Sequence, residues 1–204
     1  MTSRRVLLAT SLMLISFCVA HANDQKRDRV IAEVERLGGK VEVDETRSDK
    51  PIVKVDLHGT KVTDADLVML KELKQLRTLD LRLTHITDAG VANVRNLKNL
   101  QFLNLFRSEL SDAGLVHLRN LKKLETLLIG GTKVTDAGLV NLKNMQELKK
   151  LSLFQTQVSD LGVPYLKVLS KLETLLISGS KISDVGSKEL QLALPKLKFT
   201  ETTT

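Results

Sequence analysis

The chain has 204 residues, long enough for one domain with a sizeable core. Only 3% of it is aromatic and it has no tryptophan, so leucine must carry the interior, which suits a repetitive stack better than a core built on a few large rings. The formal charge of +7 comes without interleaved aromatics, which argues against a nucleic-acid partner, and a single cysteine excludes a disulfide framework.

The first segment, residues 1–22, pairs a short basic start at Arg4 and Arg5 with an apolar run over 6–20 and ends Ala20-His21-Ala22. This is the three-part layout of a secretory signal peptide, and the run is too short for a comfortable membrane span. Cleavage after Ala22 leaves 29 basic against 24 acidic residues, a charge of about +5. "SRRVLL" partly matches a twin-arginine export signal. No cofactor motif calls for folded export, so ordinary secretion to a periplasmic or extracellular location is expected. Cys18 lies inside the apolar run behind the bulky Phe17, which argues against lipidation and leaves the mature chain without thiols.

Residues 23–52 form a predicted N-terminal cap. A helix starts at Asn23 or Asp24, carries the apolar stripe Val30, Ile31, Val34 and Leu37, and stops at Gly38-Gly39. "KVEV" is a predicted strand and "DETRSDKP" a turn, and together they complete a helix-hairpin cap. A cap is needed because a terminal unit must cover the open edge of a stacked core.

From residue 53 to 199 the chain repeats every 24 residues, six times, without insertion. The Asp column (Asp64, Asp88, Asp112, Asp136, Asp160 and Asp184) follows Thr or Ser in every copy. Ahead of it stand paired apolar positions such as Leu103 and Leu105, and a hydroxyl column running Thr60, Thr84, Ser108, Thr132, Thr156 and Ser180. Behind it, apolar residues recur three apart, as in Leu115, Leu118, Leu121 and Leu124. Each unit thus switches from the period of a strand to that of a helix. A weaker period of 48 pairs "KLETLLIGGTKVTDAG" with "KLETLLISGSKISDVG", as if units were duplicated two at a time. The hydroxyls are expected to bond across to neighbouring coils as an Asn would. Pro164 delays its unit's helix, "KLKF" starts a seventh strand, and residues 200–204 form a tail whose weakly capped edge leaves room for self-association.

This pattern, "LxxLxLxxTxVTDAGLxxLxxL", resembles the leucine-rich-repeat family. It is similar to the "ITDxGL" subfamily of cysteine-containing repeats and to short secreted bacterial arrays. It departs from them in placing Thr or Ser where Cys or Asn usually stands. The resemblance implies an α/β, right-handed leucine-rich-repeat solenoid of six strand-turn-helix units with a parallel sheet on one face. It also implies binding rather than chemistry.

Neither catalytic nor metal-binding residues are expected, and no cofactor. One carboxylate per coil does not supply the six to eight oxygens calcium prefers. Asp after Thr or Ser suits the first turn of a helix instead, with the following glycines (Gly90, Gly114 and their equivalents) permitting close packing. His58, His85 and His117 fall in different columns. The lysine-rich helices read as a solvated face; attraction to acidic envelope polymers is the alternative role. The expected partner is a protein or peptide, with neither nucleic acid nor membrane insertion after cleavage.

The candidate site is the strand face, where Phe102, Phe106, Leu128, Phe154 and Leu176 occupy outward positions the fold does not require, rimmed by Arg82, Arg107 and Lys150. Gly130 is expected to leave a gap between Phe106 and Phe154 for a partner side chain.

Overall fold

The computed structural model describes residues 24–200; the expected signal peptide with Cys18, and the tail from 201 onward, lie outside them. A helix over residues 24–36, α1, buries Val34 and lays Val30, Ile31 and Leu37 against the core. It ends where Gly38 takes a left-handed conformation at φ 84°. Strands β1 (Lys40–Val43) and β2 (Ile52–Asp56) follow as an antiparallel hairpin with a bulge between Glu42 and Val43.

Six more strands stack on β2 in parallel: β3 (Thr78–Asp80), β4 (Phe102–Asn104), β5 (Thr126–Leu128), β6 (Lys150–Ser152), β7 (Thr174–Leu176) and β8 (Lys198–Thr200). All eight form one sheet in chain order. Register is strict: Lys54, Thr78, Phe102, Thr126, Lys150, Thr174 and Lys198 pair in succession, so residues 24 apart in sequence stand side by side. Alternation within each strand sends Leu79, Leu103, Leu127, Leu151 and Leu175 inward, where they are wholly buried.

The return segments are α2 (Asp88–Val91), α3 (Asp112–Leu118), α4 (Val163–Leu166) and α5 (Asp184–Ala193). Asp66–Glu72 and Asp136–Leu142 wind as 3-10 helices instead. Apolar residues spaced three apart, such as Leu139 and Leu142, suit a helix with three residues per turn, yet the same spacing at Leu115 and Leu118 is carried by the α-helix α3. In the fifth coil a 3-10 turn (Asp160–Gly162) precedes α4, placing Pro164 in the first α-turn, where its missing N–H breaks no bond.

The hydroxyl column does not bridge coils. Thr60, Thr84, Thr132 and Thr156 donate at 2.6–2.8 Å to the carbonyl three residues earlier in their own coil. The Ser108 hydroxyl is buried and has no hydrogen-bond partner among the described residues. A short hydroxyl closes the local turn and cannot span the gap to the next coil.

The Asp column makes that crossing. Thr87, Ser111, Thr135, Ser159 and Ser183 each donate both backbone N–H and hydroxyl to the aspartate of the preceding coil, at 2.5–2.9 Å. The same hydroxyl oxygen accepts the N–H two residues on and caps its own helix. Each aspartate from Asp64 to Asp160 therefore joins two coils, and Asp88, Asp112, Asp136 and Asp160 also stand first in a helix. In the first coil, with no repeat before it, Asp66 accepts from the N–H and hydroxyl of Thr63 at 2.8 and 2.7 Å and replaces the missing neighbour.

Candidate binding surface on the strand face

Four columns of side chains leave the sheet away from the core, and they change character along the stack. At the second strand position Asp56, Asp80 and Asn104 give way to Leu128, Ser152 and Leu176. The first three turn back on their own strand ends: Asp56 accepts from the His58 N–H, Asp80 from that of Arg82 and Asn104 from that of Phe106, at 3.0–3.1 Å. These side-chain-to-backbone bonds two residues apart set the direction of the next outward residue. They also occupy the acids with local work. Desolvation opposes ionisation of Asp56, yet its bonds to the His58 N–H and ring hold its pKa below the ordinary value.

The column entering the turn is left-handed in every coil. Gly59, Leu83, Arg107, Gly131, Gln155 and Gly179 have φ between 50° and 73°. Glycine takes this conformation without penalty; a bulky residue pays about 1–2 kcal/mol. The two kinds interlock, because a Cβ on Gly131 would stand 2.7 Å from the Arg107 Cγ and one on Gly179 would stand 2.9 Å from the Gln155 Cγ. The side chains of Arg107 and Gln155 thus lie across the following glycine, which gives the 48-residue period a structural meaning.

Between these columns lies an open groove of about 710 Å³ lined by Arg82, Leu83, Phe102, Phe106, Leu128 and Lys150, with His58, Asn104 and Thr126 completing its wall. Five of the eight residues expected at the site therefore share one concavity. Arg107 joins them from the rim, its guanidinium carbon 5.3 Å from the centre of the Phe106 ring. Phe154 forms a shoulder, its ring centroid 6.1 Å from that of Phe106 at an interplanar angle of 39°.

Two expectations need correction. No gap stands between Phe106 and Phe154: the rings lean together above Gly130, where a Cβ would come within 3.0 Å of Phe154. Leu176 is wholly buried, so it offers nothing to a partner. Leu83, half exposed, joins the groove although it is not among the expected residues; its exposure follows from the left-handed backbone, which a column position alone does not reveal.

The described histidines stay apart. His58 contacts Asp56 at 2.7 Å, His85 contacts Glu109 at 3.2 Å, and His117 sits in the last turn of α3. Among the described residues no group of three or more His, Cys, Asp or Glu is placed to hold a metal ion.

A family model described as a leucine-rich repeat matches residues 74–94, one unit that takes in β3 and α2. The fold is a leucine-rich-repeat solenoid. Solved leucine-rich-repeat structures superpose on it. An internalin of Listeria monocytogenes is 22% identical with a TM-score of 0.54, over 76% of this chain and 51% of that one. An internalin C2 of the same organism is 29% identical at TM-score 0.52, over 65% and 55% of the two chains. The ectodomain of the receptor kinase SOBIR1 from Arabidopsis thaliana is 16% identical at TM-score 0.52, over 78% and 94%. The match spans about half the length of each internalin. Among curated proteins none matches the chain.

Proposed function

We propose that this chain is an exported, non-enzymatic recognition module that binds a protein or peptide through its strand face. Leucine-rich-repeat solenoids are protein-binding architectures whose stacked units offer an extended surface. One observation carries the reading to this face: Phe102, Phe106 and Leu128 line an open groove although the leucine core is complete without them. Export is supported by the leader pattern of residues 1–22. Among the described residues no helix is long and apolar enough to cross a membrane.

The test is retention of a partner from the envelope fraction on the immobilised chain lacking residues 1–22. The double variant Phe106→Ala/Phe154→Ala should lose the retained protein and keep its thermal melt, since neither ring belongs to the buried core. Equal retention by the variant sinks the strand-face reading.

A further inference from the structure

Charge is spread unevenly along the strand face. In the first two coils the charged side chains of this face have partners: Lys54 meets Glu42 at 2.5 Å, Arg82 meets Asp80 at 3.5 Å, and Asp56 contacts the His58 ring at 2.7 Å. From Phe102 to Gly179 no outward position carries a carboxylate. Among the described residues Arg107 and Lys150 form no ion pair, and the Arg107 guanidinium makes no hydrogen bond. Stacking over Phe106 leaves its in-plane N–H donors free to take a carboxylate.

The backbone under Arg107 points the same way. Its turn position accepts glycine in three of six coils, so the turn itself demands no side chain, yet Arg107 sits there at φ 54°. A residue held in a disfavoured conformation beside an open groove is a mark of a working side chain. Lys150 stands two strands along from Phe102, in the same register. The groove from Arg82 to Lys150 crosses four strands, roughly 14 Å, the reach of about four extended residues.

We infer that the partner is an acidic extended protein segment with an apolar anchor: its aromatic or leucine side chain enters the Phe102–Phe106–Leu128 groove, and its carboxylates meet Arg107 and Lys150. Arg107 then determines specificity. The inference rests on the strand-face reading and adds the chemistry of the ligand.

The experiment measures fluorescence anisotropy of labelled synthetic peptides with the chain lacking residues 1–22. The probes are one alternating glutamate with phenylalanine, its lysine-phenylalanine counterpart and a glutamate-serine control. Wild type should bind the glutamate-phenylalanine peptide most tightly, more weakly as salt rises. Arg107→Gly should weaken that binding about tenfold, equivalent to about 1.4 kcal/mol, while its melting temperature holds or rises as the left-handed strain is relieved. Lys150→Gln, at an unstrained position, should also weaken it. Phe106-dependent binding of the lysine peptide at equal strength overturns the acidic assignment and leaves the strand-face reading standing. Equal binding of the glutamate-serine control overturns the apolar anchor. Binding of none of the three overturns the inference, and the retention experiment above then decides the strand face by itself.

Discussion

A Cβ on Gly114 would stand 2.3 Å from Oδ1 of Asp88, and the equivalent atoms on Gly90, Gly138 and Gly186 meet Asp64, Asp112 and Asp160 at 2.2–2.3 Å. This glycine column is therefore the seat of the preceding coil's carboxylate, a closer constraint than helix packing alone. Gly114→Ala should push Asp88 aside and leave the Ser111 N–H and hydroxyl without an acceptor, a loss of about 1–3 kcal/mol in urea unfolding. Asp66 stands at the same column in the first coil with no carboxylate above it, so Asp66→Gly should lose only the local bonds to Thr63, a smaller effect. Equal losses at the two sites would count against the inter-coil clamp. The sequence shows the glycines as a column; only the packed coils show what they make room for.

At the level of the return segments, Thr or Ser followed by Asp opens a capped helix in the five coils from Thr87 to Ser183, while the first coil's helix begins at Asp66 without a side-chain cap. Asp160 and Asp66 supply a pH dependence whose sign follows from their bonds. Asp160 is held below its usual pKa first by the Ser183 hydroxyl and then by its N–H; Asp66 is held below it first by the Thr63 N–H and then by its hydroxyl. A pKa lowered on folding contributes stability at neutral pH and loses it as pH falls through the lowered value. The melting temperature should therefore be flat near neutrality and decline below pH about 4. Asp160→Asn should melt lower at neutral pH and show a shallower acid decline. A decline as steep as wild type's would assign it to other groups. Helix type was less legible than helix position, because three-residue spacing is compatible with either helix until packing chooses the tighter one.

The whole molecule is one row of coils, each touching its neighbours, with a sheet ordered as the sequence is. Stability is then close to a sum of units and the interfaces between them. Deleting residues 109–132 joins one coil's turn to the next in register, with every column intact. That variant should keep its circular dichroism spectrum and melt cooperatively at a lower temperature. Deleting residues 109–120 puts the Asp column half a coil out of step and should abolish the cooperative melt. The cap at the N-terminal end was legible from the stripe Val30, Ile31, Val34 and Leu37, all of which pack on the core.

By itself the sequence determined the repeat, the inward leucines, the strand face and its main aromatic positions, because a period of 24 with no insertion places equivalent residues in straight columns. It left open what passes between the columns. That Asp64 to Asp160 hold the next coil, that Phe106 and Phe154 close over Gly130, that Leu176 is enclosed and that Leu83, Arg107 and Gln155 occupy left-handed turns all belong to the tertiary structure. Periodicity assigns a residue to a column and a face. Neighbouring coils only about 4.8 Å apart decide how far each side chain reaches and what it meets.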